Sequence, residues 1–147
     1  MNHQAEYLHY LHTERGLSPR TREAYKRDLD LFAEELVRTH VSKHGEVSEH
    51  DVRGFISRLH RQGLGSRCIQ RVLSAIRGYY RWLMREGLAE HNPAAAVKAP
   101  KSPRKLPQTL DTDAVTRLLD FKAGTPLAIR DKAIMELFYS SGLRLSE

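Results

Sequence analysis

The sequence predicts an all-α protein. Apolar residues recur at helical spacing in each patterned segment, and Ser, Asp, Thr, Pro and Gly stand where helices must start and stop. A further observation divides the chain: four prolines fall within residues 92–107 among small and basic residues, which reads as an extended linker and not a packed element. The expected organisation is a four-helix domain over residues 1–88, a linker over 89–107 and a second helical unit over 108–147.

The first helix covers about residues 3 to 15, with Leu8 and Leu11 as apolar anchors and Gly16 as its stop. Ser18 and Pro19 read as an N-cap followed by a first-turn proline, opening a second helix whose inward stripe is Tyr25, Leu29, Phe32 and Leu36. A polar connection over residues 40–46 leads to Ser48, the cap of a third helix. There Val47 and Val52 suit a hydrophobic staple, and Val52, Phe55, Ile56 and Leu59 face inward until Gly63 and Gly65 end the element. The fourth helix starts at Ser66 and runs to about Arg85, with Ile69, Val72, Leu73, Ile76, Tyr80 and Leu83 on one side.

Beyond the linker, Asp111 caps a short helix with Leu110 and Val115 at staple positions and Leu118 and Leu119 inward. Thr125 and Pro126 open another, carrying Ile129, Ala133, Ile134, Leu137 and Phe138 and ending at Gly142. Two short helices cannot bury a core of useful size, so this unit is expected to be the opening part of something larger.

Composition narrows the function. The chain has 24 Lys and Arg against 18 Asp and Glu, a formal charge of +6 that favours polyanionic partners. Nothing approaches the roughly 18 consecutive apolar residues needed to span a membrane, and the first residues lack a basic-then-apolar signal pattern, so a cytoplasmic location is expected. The single cysteine, Cys68, cannot form an internal disulfide and reads as packing. The eight histidines show no metal-like grouping; His40 and His44 are four apart in a segment without a helical pattern, and solvated side chains are expected. Tyr7, Tyr10, Tyr25, Tyr79, Tyr80 and Tyr139 lie in or beside helix stripes and read as packing residues.

The fourth helix carries the sharpest electrostatic signal. At about 100° per residue, Arg67, Arg71, Arg77, Arg81 and Arg85 fall in an arc of roughly 120° opposite the apolar stripe, with Ser74 and Gly78 between them. Five like charges repel one another, and an anionic partner would relieve that while small residues let a backbone come close. A solvated basic face is the alternative. The candidate contacts to a polyanion, DNA among them, are Arg20 and Arg27 on the second helix with Arg67, Arg71, Arg77 and Arg81 on the fourth, and charge reversal at Arg71 and Arg77 is expected to weaken that binding without unfolding the domain. Lys98, Lys101, Arg104 and Lys105 would make the linker a basic strap.

The string Gly142-Leu143-Arg144-Leu145-Ser146-Glu147, following LAIRDKAIMELFYSS, resembles the first catalytic motif of the tyrosine recombinases, the phage integrase family, and its Xer branch especially. GLSPRTREAYKRDLDLF and SAIRGYYRWLMREGLAEHNPA resemble the second and fourth helices of that family's core-binding domain, and KAPKSPRKLPQTLD resembles the Xer interdomain linker. Within the branch, the LRLSE wording is closer to the XerC group than to the XerD group. The resemblance covers essentially the whole chain and about half of a typical member.

The resemblance implies a four-helix SAM-like core-binding domain, a linker, and the first helices of a truncated catalytic domain. It implies DNA cleavage by a tyrosine hydroxyl, a 3′-phosphotyrosyl intermediate and a free 5′-hydroxyl, with no cofactor. Arg144 matches the first of the family's two phosphate-binding arginines, and Glu147 an acidic supporting position. The catalytic lysine, the His-x-x-Arg pair, a later His or Trp and the nucleophilic tyrosine would lie beyond residue 147, so this chain alone is expected to bind DNA without cutting it. Implied partners are a duplex recombination site, a sister recombinase in a tetramer, and a septal DNA translocase. A short non-catalytic DNA-binding protein and a helical protein-interaction module remain as other readings.

Overall fold

The structure, a computed structural model, describes residues 3–41, 43–101, 109–122, 124–142 and 144. Among the described residues the regular structure is helical: α1 (Gln4–Thr13), α2 (Pro19–Arg38), a single 3-10 turn (His44–Glu46), α3 (Glu49–Arg61), α4 (Ser66–Arg85), α5 (Thr112–Leu119) and α6 (Pro126–Ser141). The chain forms two compact units, Met1–Pro103 and Arg104–Glu147.

Each helix of the first unit begins close to where its signals stand. Ser18 accepts a hydrogen bond from the Thr21 backbone N–H, with Pro19 in the first turn. Ser48 and Asp51 form a reciprocal capping box at α3, Ser48 Oγ accepting from Asp51 N and Asp51 Oδ2 accepting from Ser48 N at 2.9 Å. Gly16 and Gly63, at φ +57° and +85°, turn the chain after α1 and near the end of α3, in a conformation that a Cβ disfavours.

Helix α4 is the spine of this unit. α2, α3 and α1 each pack on it, and its stripe from Ile69 to Leu83 is buried. Leu29, Phe32 and Leu36 of α2 and Val52, Phe55, Ile56 and Leu59 of α3 close the core as their spacing predicts, with Val47 fully buried beside them. Burying one such side chain contributes about 1.5–3 kcal/mol, so this shared stripe outweighs any capping term.

Several expectations change. In α1, Tyr7 joins Leu11 in the core, while Leu8 is only partly buried. The connection before α3 contains the 3-10 turn, and His44 within it is half-buried: its ring meets Tyr79 and Tyr80 edge-on, and its Nε2 lies 3.2 Å from the Tyr79 hydroxyl. That environment is apolar, and desolvation holds the imidazole below its usual pKa. Cys68 lies outside the buried stripe and is exposed. Among the described residues, 86–101 after α4 hold no helix or strand, yet Ala94 and Val97 are buried within the first unit.

The second unit keeps its caps and lacks a core. Asp111 Oδ1 accepts from Ala114 N at 2.6 Å, Thr125 caps α6, and Gly142 ends it at φ +64°. None of the described residues of α5 or α6 is buried, and Leu118, Ile129, Ile134, Leu137 and Tyr139 are exposed. Leu118 and Tyr139 are therefore not packed inward, because the described helices offer no second layer to cover them.

Candidate nucleic-acid interface

Helices α2 and α4 turn their apolar stripes toward each other, which leaves their basic positions on the outside. Arg20, Arg27, Arg67 and Arg81 are exposed. Arg20 sits in the first turn of α2, where the positive end of the helix dipole also favours an anion.

Arg71 is exposed as well, and Arg77 is half-buried, but both are engaged in contacts within the fold. Arg71 donates two hydrogen bonds to the buried carboxylate of Asp28 on α2, Nε to Oδ2 at 2.9 Å and Nη2 to Oδ1 at 3.0 Å. The pair neutralises much of that charge and fixes the guanidinium plane. Arg77 donates from Nε to the Ala94 carbonyl at 2.9 Å and from Nη2 to the Val97 carbonyl. Reversing either charge would remove a tertiary contact, and at Arg71 it would set two carboxylates together. Such variants no longer isolate DNA binding from folding.

Sequence periodicity alone holds a signal for Asp28, which does not appear among the expected core or site residues. Asp28 and Glu35 are seven residues apart, on the same side of α2 as Leu29, Phe32 and Leu36, and both are buried. Acids on a core-facing stripe need cations from elsewhere. Glu35 accepts two hydrogen bonds from Arg38, at 2.9 and 2.8 Å, and pairs with Arg58 Nε at 2.9 Å. The Arg38 hydrogen bonds, with Arg58 nearby, hold its carboxyl below the usual range.

Between α1, α2 and α4 a cleft of 280 Å³ opens, lined by Tyr7, Tyr10, Arg15, Gly78, Arg81 and Arg85 among others. Gly78 forms a close contact in its wall: a Cβ there would meet the Tyr7 hydroxyl oxygen at 2.5 Å. Arg81 Nε donates to the Arg77 carbonyl at 3.3 Å. The Arg85 guanidinium lies 4.3 Å from the Tyr10 ring centroid and pairs with Glu14 at 3.2 Å and Glu86 at 2.9 Å, so its charge is shared with two acids. Arg15, just past α1, adds a cation that no helical arc could reveal.

Burial pushes the phenols of Tyr7, Tyr79 and Tyr80 well above their usual pKa. Such hydroxyls are poor sources of a phenolate nucleophile, in line with a packing role. No group of three or more potential metal ligands occurs among the described residues, and no helix there is long and apolar enough to cross a membrane. Arg144 is exposed two residues after the left-handed Gly142; Glu147, Arg104 and Lys105 lie outside the described residues.

The sequence profile of the phage integrase N-terminal SAM-like domain matches residues 5–87, the stretch that holds α1 to α4. The chain belongs to the phage integrase family. It is 47% identical over 146 residues to "Tyrosine recombinase XerC" of Pseudomonas syringae pv. tomato, covering 99% of this chain and 49% of the relative. It is 43% identical over 142 residues to the protein of that name in Xylella fastidiosa (97% and 48%), and 45% over 152 aligned positions to that of Xanthomonas axonopodis pv. citri (97% and 50%). These relatives belong to the group to which the LRLSE wording points. The chain spans about half the length of the curated relatives it matches.

Proposed function

We propose that this chain binds duplex DNA as the N-terminal part of a Xer-type tyrosine recombinase, and that the whole protein performs site-specific recombination, resolving chromosome or plasmid dimers at cell division. The reading is carried by similarity that runs through 97–99% of the chain to relatives named tyrosine recombinase XerC. The exposed Arg20, Arg27, Arg67 and Arg81 support it, as does the cleft where Arg15 and Arg81 stand beside small and hydroxyl-bearing residues. These cations take phosphates of the duplex backbone, which positions the protein without reading bases.

In the proposed reaction a tyrosine oxygen attacks a DNA phosphorus and the 5′-oxygen leaves as a hydroxyl. The energy of the phosphodiester is kept in the phosphotyrosyl bond until a 5′-hydroxyl of the partner strand attacks it. Charge on the five-coordinate phosphorus is the main barrier, and a planar guanidinium offering two parallel hydrogen bonds suits it better than lysine. Arg144 takes that role and Glu147 orients the groups around it. A sister recombinase within a tetramer and a septal DNA translocase are the proposed partners.

The test is a salt-titrated gel-shift of this chain against a duplex carrying a Xer-type inverted repeat and against a scrambled duplex, with a covalent-adduct assay in parallel. We expect preference for the site, no adduct, and an affinity that falls with salt at a log–log slope of about −0.9 per phosphate engaged. Absence of duplex binding, or binding insensitive to salt, would overturn the DNA-binding reading.

A further inference from the structure

We infer that Arg77 is a positioning residue that latches the exit segment of the first unit onto α4, and is not a phosphate ligand. Three observations meet there. Arg77 Nε donates to the Ala94 carbonyl at 2.9 Å and Nη2 to the Val97 carbonyl, so one planar group holds two carbonyls three residues apart. The contact is returned by Asn92, whose Nδ2 donates to the Arg77 carbonyl at 3.1 Å while its Oδ1 accepts from Ala94 N at 3.0 Å. The residues so held are core residues, with Ala94 and Val97 at 0% and 2% exposure.

The latch sets the course of the chain beyond it. Ser66 Oγ, at the start of α4, donates to the Lys101 carbonyl at 3.5 Å. From Arg77 back to Ser66 the helix rises about 16 Å at 1.5 Å per residue. From Val97 to Lys101 an extended chain covers about 13 Å at 3.3 Å per residue. The extended chain is shorter by about 3 Å, which the long Arg77 side chain spans, so the exit segment runs antiparallel to α4 as a nearly extended strap held at both ends. Against α3 it encloses a groove of 650 Å³ lined by Ile56, His60, Arg61, Val97 and Lys98 among others. The described chain therefore reaches the N-terminal end of α4 at Lys101.

Charge and geometry separate the two roles of Arg77. Lysine at this position keeps the charge but cannot hold two carbonyls with one planar group, whereas a phosphate contact tolerates it. In the 147-residue chain, both Arg77→Lys and Arg77→Met should be cut by trypsin after Lys98 about tenfold faster than the parent, as loss of charged hydrogen bonds raises the open population. The salt slope of duplex binding should stay at the parent value in both. Parent-like cleavage in both variants overturns the latch; so does a slope weakened by about 0.9 in Arg77→Met and restored in Arg77→Lys. Asn92→Ala keeps the arginine and removes both Asn92 hydrogen bonds, to the Arg77 carbonyl and from Ala94 N, and it should speed the same cut if Arg77→Met fails to fold; parent-like cleavage there also overturns the proposal. The trypsin result stands even if the parent binds no duplex, so failure of the latch and failure of the DNA-binding reading are distinguishable.

Discussion

Gly78 shows how a single missing side chain shapes the cleft. Glycine inside a helix costs about 1 kcal/mol relative to alanine, so Gly78→Ala would stabilise an exposed helix. Here the new Cβ would meet the Tyr7 hydroxyl at 2.5 Å, and Tyr7 is 2% exposed, so overpacking of about 1–3 kcal/mol opposes that gain. The next Tyr7 atom is 3.8 Å away, at ordinary contact distance. Gly78→Ala should therefore destabilise the parent, yet stabilise a Tyr7→Phe background by about 0.5–1 kcal/mol. Urea midpoints of the four proteins check this; equal effects in both backgrounds would remove the close contact as the reason for glycine. Arg71 makes the complementary point, since its position on the basic arc says nothing of the carboxylate waiting for it on α2.

At the scale of elements, caps decide where helices begin and the core decides whether they persist. The α3 capping box satisfies two backbone N–H groups with two short side chains on an exposed end. Ser48→Ala should cost about 1 kcal/mol, lowering the melting midpoint of the first unit by about 4–8 °C while leaving its helix content at low temperature unchanged. Thermal melts followed by circular dichroism measure it, and an unchanged midpoint would mean that packing of Val47 and Val52 sets the start of α3 unaided. Helix starts were legible in the sequence because capping is local chemistry: Ser18, Ser48, Asp111 and Thr125 each act on a backbone N–H three residues ahead. The 3-10 turn before α3 was not, because His44 is held by Tyr79, 35 residues away.

For the molecule as a whole, the two units differ in what holds them. The first has a continuous core around α4, whereas α5 and α6 have helix caps with no buried residue among those described. Short helices without tertiary burial are marginal in water. In this chain, amides of α6 should exchange with solvent at least a hundredfold faster than those of Ile76 and Tyr80 in α4, whose opening requires unfolding of the core. Hydrogen-exchange mass spectrometry resolves this, and comparable protection in α6 would mean that its exposed stripe is covered in solution.

The sequence alone was enough for the all-helical class, the caps and the inward stripes of α2, α3 and α4. All of these depend on residues within about one or two helical turns, where periodicity and backbone geometry apply. The tertiary structure alone decided the use of the basic arc: it joined Arg71 to Asp28 across 43 residues and Arg77 to Ala94 across 17, and left Arg67 and Arg81 exposed. Helical spacing tells which way a side chain points. What stands opposite depends on how distant segments pack, because a charge near a buried surface takes the partner that the fold brings to it.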